Sequence, residues 1–158
     1  MRVGQGFDAH RFTEGRELIL GGVRIEYSMG LEGHSDADVL IHAIIDALLG
    51  AAGLGDIGMH FPDTDPVYKD ASSLKLLETV CRATEGLGYR IANIDTTIFA
   101  QEPRLGLYRG AIVANVAAAA GLDPEQVNIK ATTTEGMGFI GRVEGIAASS
   151  VVLLERTE

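Results

Sequence analysis

Between Leu40 and Leu48 the apolar residues Leu40, Ala43, Ile44, Ala47 and Leu48 recur at helical spacing, and this constrains the chain more than any other feature. Apolar side chains three and four apart share one face of a helix, so the segment must lay that stripe on another element. Ser35 precedes Asp36 and Asp38 and is the expected N-cap, with the acids favoured beside the positive end of a helix running to about Leu49. Residues 2–8, Tyr89–Ala100, Val127–Ala131 and Glu144–Leu154 read as strands, and Glu17–Leu20, Gly21-Gly22 and Val23–Ile25 as a short hairpin, because Gly-Gly permits the turn that matches strand twist. Helices are expected over Ser72–Glu85, stopped by Gly86 and Gly88, and over Leu105–Ala120, stopped by Gly121. Strands and helices mix without strict βαβ alternation. The expectation is therefore an α+β fold, a mixed four-stranded sheet with helices on one face plus a small β-hairpin, in a single domain over residues 1–158.

Charge narrows the function. The chain carries a net charge of −9 and no run of Lys or Arg, so neither nucleic acid nor an anionic membrane is an expected partner. No apolar segment is long enough to span a bilayer and no signal-peptide pattern opens the chain, so cytoplasm is the expected location. A removed plastid transit peptide would leave no trace in such a sequence. The lone cysteine, Cys81, excludes an internal disulfide and lies at helical spacing from Leu74 and Leu77, as a core residue would.

Asp8 and His10 are two apart on a strand and leave the same face, while His42 sits on the long helix. Two imidazoles and a carboxylate make a three-ligand set with a fourth position open, the arrangement of catalytic zinc. The same three residues could also be unconnected surface or cap residues, and spacing alone does not separate these readings. Asp38, His42 and Asp46 recur every four residues on one helix face. Asp46 is a candidate to accept an imidazole N–H from His10 or His42, and a solvated polar stripe is the alternative, above all for Asp38. His34 stands near a helix N-terminus, where a phosphate oxygen would meet free N–H groups.

Residues 50–71 read as an irregular loop, and a loop of that length is usually functional. Asp56 and Asp63 could accept hydroxyl hydrogen bonds from a polyol, or could instead bond their own backbone in turns. Lys130–Glu135 offers hydroxyls, backbone donors and a carboxylate, a mixture suited to a nucleotide phosphate with Mg²⁺, though a threonine run leaving a strand is also ordinary. Two matches to the dinucleotide pattern, at Gly53-x-Gly55-x-x-Gly58 and Gly136-x-Gly138-x-x-Gly141, lack the strand–turn–helix context that pyrophosphate binding needs.

Taken together, Gly4–His10, Gly33–Val39, Leu48–Ala52, Gly55–Gly58, Phe61–Pro66, Lys130–Glu135 and Gly141–Gly145 resemble the 2-C-methyl-D-erythritol 2,4-cyclodiphosphate synthases of non-mevalonate isoprenoid biosynthesis. The resemblance covers essentially the whole chain. It implies Zn²⁺ on Asp8, His10 and His42, with Glu135 helping to hold a second ion, Mg²⁺ or Mn²⁺. It implies a methylerythritol and phosphate pocket at His34, Ser35, Asp56, Gly58, Phe61 and Asp63, and a cytidine pocket at Ala100, Pro103, Arg104, Leu105, Ala131, Thr132 and Thr133. His34, Asp46 and Thr133 are implied as supports around the reacting groups, and Phe7, Phe139, Arg142 and Glu144 as a central cavity able to bind isoprenoid diphosphates. A surface salt bridge between Arg142 and Glu144 is the plainer reading of that pair.

The implied reaction converts 4-diphosphocytidyl-2-C-methyl-D-erythritol 2-phosphate to the cyclic diphosphate and CMP, in a homotrimer whose neighbours share each site. Two departures from the family pattern are Arg104, where lysine is frequent, and Gln5, where histidine is frequent. A zinc-dependent phosphoesterase with Asp56 or His34 as base is the rival within the same class. A non-catalytic trimer that senses isoprenoid diphosphates through Arg142 is the rival outside it.

Overall fold

The computed structural model describes residues 1–157; the expected domain boundary at Glu158 lies outside the described residues. In chain order the elements are β1 (Arg2–Thr13), β2 (Leu18–Leu20), β3 (Val23–Ile25), β4 (Gly30–Leu31), α1 (Val39–Ala52), α2 (Ile57–His60), α3 (Ser73–Gly86), β5 (Tyr89–Phe99), α4 (Arg109–Ala120), β6 (Val127–Thr132), α5 (Gly138–Gly141) and β7 (Gly145–Arg156). The main sheet has the order β4-β1-β7-β5-β6, and β2 pairs β3 in the separate hairpin. The pairs β1/β7 and β5/β7 are antiparallel and β5/β6 is parallel, so the sheet is mixed. Its four long strands are those expected; β4 adds two residues at the β1 edge.

Strand β1 alternates with the pleat. Gly4, Gly6, Asp8, His10 and Phe12 face α1, and Val3, Gln5, Phe7, Ala9 and Arg11 face the open side. The two glycines let the helix approach backbone to backbone. A Cβ at Gly4 would stand 1.9 Å from the Ala47 carbonyl oxygen, and one at Gly6 would stand 2.0 Å from that of Ala43. Glycine inside a strand marks such a close approach.

Helix α1 is buried nearly all round, not along one stripe as its spacing suggested: Val39, Ile41, Ile45 and Leu49 are enclosed together with the expected Leu40, Ala43, Ile44, Ala47 and Leu48. The sheet lies beneath it, α3 beside it and β2 against it. Only His42, Asp46 and Gly50 escape full burial, a strip one turn apart that leads to the site. The helix begins later than expected, because Asp38 rather than Ser35 is its N-cap. Asp38 is fully buried, accepting hydrogen bonds from the backbone N–H groups of Gly21 (3.0 Å), Gly22 (2.7 Å) and Ile41 (3.2 Å). It is thus no part of a solvated stripe, and it ties the hairpin turn to α1. Burial pushes its carboxyl up to about 6, with the charge of Asp36 adding to the rise and the three N–H donors opposing it.

The segment expected to be irregular folds into α2 and a 3₁₀ turn at Pro66–Tyr68, each started by an aspartate, Asp56 and Asp65, that caps it. Cys81 is buried on α3, as expected of a core residue.

Candidate metal centre

Asp8 and His10 leave β1 on the side of α1, and His42, one residue before Ala43, meets them from the helix. His10 Nε2 lies 2.9 Å and His42 Nδ1 3.1 Å from Asp8 Oδ2, and the two nitrogens are 3.3 Å apart. The remaining ring nitrogens are occupied elsewhere. His10 Nδ1 lies 2.6 Å from the Glu32 carbonyl oxygen, which can only accept, so Nδ1 carries a proton and Nε2 is the nitrogen left for a metal. His42 Nε2 faces Ser73 Oγ at 2.9 Å and Ser35 Oγ at 3.2 Å.

This donor set fits a divalent metal. Bonds of about 2.0–2.1 Å at tetrahedral angles put ligand atoms about 3.3 Å apart, close to the observed triangle. The three are the group among the described residues whose donor atoms converge closely enough to hold an ion. Without one, burial works to raise the Asp8 carboxyl, and the hydrogen bonds and positive charge of His10 and His42 outweigh it, holding Asp8 well below its ordinary value. His10 is shifted upward against its own burial by its bond to Asp8.

Asp46 does not take either imidazole N–H. Its Oδ1 accepts the Ile57 N–H at 2.8 Å at the start of α2, and Glu32, Ser73 and Ser35 occupy the ring positions it was expected to fill. Asp56 is not among the residues that line the cavity; its Oδ1 accepts the Met59 N–H at 3.0 Å, a turn-stabilising contact.

A cavity of about 250 Å³ opens beside the three ligands, and His34, Ser35, Gly58, Phe61 and Asp63 all line it. His34 is steadied by the Asp65 carbonyl at 3.2 Å, and Phe61 meets the edge of Tyr68 at 5.3 Å between ring centres. Arg16, which sequence reasoning missed, donates to the carbonyls of Gly33 at 2.5 Å and Ser35 at 2.6 Å and straps the loop that carries His34. Nothing in the spacing around Arg16 signals that role.

A second, more open cleft of about 940 Å³ lies at the ends of β5 and β6, and Ala100, Pro103, Arg104, Leu105, Ala131, Thr132 and Thr133 all line it. Glu135 follows in the turn after β6, where its backbone N–H bonds Thr133 Oγ1 at 3.3 Å, and it joins no metal-type cluster among the described residues. The two cavities share no residue.

Phe7 on the open face of the sheet and Phe139 on α5 are both exposed. Arg142 and Glu144 form an exposed ion pair at 3.1 Å, the plainer of the two readings of that pair. Phe139 and Glu144 line a shallow third cleft that Phe7 and Arg142 do not reach.

Fold and site together define an α+β protein with a carboxylate–bis-imidazole cluster able to hold a metal ion, set beside a small cavity. No helix among the described residues is long and apolar enough to cross a membrane. The chain belongs to the YgbB family, whose model matches residues 1–155. It is 58% identical over 155 residues to the 2-C-methyl-D-erythritol 2,4-cyclodiphosphate synthase of Desulfatibacillum aliphaticivorans, covering 98% of this chain and 100% of that one. Identity to the enzyme of the same name from Moorella thermoacetica is 60% over 154 residues, or 98% of this chain and 94% of that protein. Among solved structures, the bifunctional IspDF of Campylobacter jejuni superposes with a TM-score of 0.96 at 48% identity, over 99% of this chain and 42% of that larger one. IspF of Plasmodium falciparum, solved as a CDP complex, gives a TM-score of 0.87 at 32% identity over 99% and 97% of the two chains.

Proposed function

We propose that this chain, as one catalytic domain, converts 4-diphosphocytidyl-2-C-methyl-D-erythritol 2-phosphate to 2-C-methyl-D-erythritol 2,4-cyclodiphosphate and CMP, a phosphorus–oxygen lyase reaction. The observation that carries the proposal is the convergence of Asp8, His10 and His42 at the mouth of a cavity lined by His34, Ser35, Phe61 and Asp63, in a chain so similar to synthases of that name. An oxygen of the substrate's 2-phosphate attacks the β-phosphorus, the bond from that phosphorus to the α-phosphate oxygen breaks, and CMP leaves. The nucleophile belongs to the substrate. The protein has to bring the two phosphates into line and neutralise their charge.

Asp8, His10 and His42 would hold Zn²⁺, and Glu135, a hard oxygen donor, would help hold Mg²⁺ or Mn²⁺ against the substrate phosphates. When bound, these ions supply Lewis-acid polarisation of the attacked phosphoryl group and stabilise the leaving phosphate. Ser35 and His34 orient the diphosphate, Asp63 and Gly58 the polyol, and Phe61 closes the apolar side of the cavity. The wider cleft takes the cytidine, with its apolar wall at Ala100, Leu105 and Ala131 and with Arg104, Thr132 and Thr133 near the phosphates.

The two cavities share no residue, which supports a homotrimer in which one subunit's metal half meets its neighbour's cytidine half. The exposed apolar side chains on the open sheet face, Val3, Phe7 and Val151, support burial there in the assembly. In that setting Phe7, Phe139, Arg142 and Glu144 would surround an axial cavity suited to an isoprenoid diphosphate, with the Arg142 fork for the anion. Cytoplasm is the compartment we assign. The test is His42→Ala: turnover should vanish while the sedimentation of the assembly is unchanged, and full activity in that variant would overturn the proposal.

A further inference from the structure

The hydroxyl of Ser73, at the first turn of α3, lies 2.9 Å from His42 Nε2 and is fully buried. Asp36 grips the same serine twice, its Oδ1 accepting from Ser73 Oγ and its Oδ2 accepting the Ser73 N–H at 2.9 Å. Asp36 Oδ1 also accepts the Asp38 N–H at 3.2 Å, so the carboxylate is fixed from the segment that starts α1 as well as from α3. A carboxylate only accepts, hence the Ser73 hydroxyl proton must point at Asp36. The oxygen of Ser73 is then left with lone pairs toward His42, and the hydrogen bond there requires the proton on Nε2.

That proton decides the other nitrogen. With Nε2 protonated, Nδ1 carries the lone pair, and Nδ1 is the atom aimed at Asp8 Oδ2 and His10 Nε2. We propose that Ser73, oriented by Asp36, is a positioning residue that sets the metal-binding tautomer and ring angle of His42. The inference rests on the metal-centre reading above. A metal-bound imidazole needs such a partner on its far nitrogen, and losing one typically weakens metal binding about 10- to 100-fold.

The relay also settles the part played by Ser35. Its Oγ lies 3.2 Å from His42 Nε2 and accepts the Ala37 N–H at 3.3 Å, so its own hydroxyl proton has no call from the histidine. Ser35 can turn that proton to a phosphate oxygen in the cavity it lines, because Ser73 already serves His42. The two serines divide the work: one is committed to the ligand, the other is left for substrate.

The test reads the tautomer directly. Long-range ¹⁵N NMR of zinc-loaded protein should show His42 ligating through Nδ1 with its proton on Nε2, and Ser73→Ala should shift the Nε2–H resonance. In competition with a chromophoric chelator, Ser73→Ala and Asp36→Ala should each bind Zn²⁺ about 10-fold more weakly or worse, while Ser73→Thr, which keeps the hydroxyl, recovers most of the affinity. Circular dichroism confirms that the variants are folded. A His42 that ligates zinc through Nε2, wild-type affinity in Ser73→Ala, or equal losses in Ser73→Ala and Ser73→Thr would each overturn the proposal. A folded protein that binds no zinc at all would instead count against the metal-centre reading.

Discussion

A single methyl group added at Gly6 should pull the metal's two supports apart. The Cβ of Gly6→Ala would sit 2.0 Å from the Ala43 carbonyl oxygen and 2.8 Å from the Ala47 nitrogen, and real Cβ atoms essentially never come within 3.0 Å. Both obstacles are helix backbone, which cannot swing aside as a side chain can. Strand β1 and helix α1 must therefore separate by about 1 Å, while a metal site tolerates distance errors of only about 0.2 Å. Asp8 and His10 ride on the strand and His42 on the helix, next to Ala43, so the separation falls on the ligand triangle itself. Overpacking of this kind costs about 1–3 kcal/mol of stability, and zinc affinity should fall by at least about 100-fold, the upper end of what losing an outer-shell partner costs.

Gly50→Ala is the matched control on the same helix. Its Cβ would meet no atom within 4 Å, so it should stabilise α1 by about 0.5–1 kcal/mol and leave metal binding alone. Guanidinium unfolding and chelator competition measure both quantities. A Gly6→Ala protein with wild-type midpoint and zinc affinity would refute the close-packing argument.

Asp38→Ala strands the backbone donors of Gly21, Gly22 and Ile41, and should cost about 3 kcal/mol or more in urea unfolding, a loss that a near-neutral result would contradict. In metal-free protein His10 is raised above its ordinary 6.5, although burial opposes the rise, because Asp8 bonds it. The sign follows from linkage: the pair stabilises fully below 6.5 and its contribution is lost as pH rises through the raised value, so unfolding midpoints should drop across that window and Asp8→Asn should flatten the slope. Cys81, whose thiol is pushed up to about 12 by burial, should resist alkylation in the folded protein and react only after unfolding.

The long strands, α1 and α3 were legible from their periods, and α4 from its alanines and its stop at Gly121, although it starts at Arg109, after a 3₁₀ turn at Gly106–Tyr108, and not at Leu105. The ligand triad was legible only in part. Asp8 and His10 declare themselves by two-residue spacing on a strand, but nothing local says that His42 reaches them; the cue was in the strand's own glycines, Gly4 and Gly6, which admit a helix at backbone distance. Asp38 and Asp46 were misread because helix spacing reports which residues share a face and not what that face meets. Here the hairpin turn covers Asp38 and the start of α2 meets Asp46. Ser73 and Asp36 lie 37 residues apart, a contact that only the docking of α3 on α1 creates. The open sheet face gave a purely compositional hint, since Phe7 and Val3 alternate with glycines and read like any half-buried strand.

The most direct test of the central claim is ³¹P NMR of the purified protein with 4-diphosphocytidyl-2-C-methyl-D-erythritol 2-phosphate and Mg²⁺, run with and without a zinc chelator. The account predicts resonances of the cyclic diphosphate and CMP that disappear on chelation and return when zinc is restored. Hydrolytic monophosphates, or a substrate left unchanged by folded and zinc-loaded protein, would contradict it.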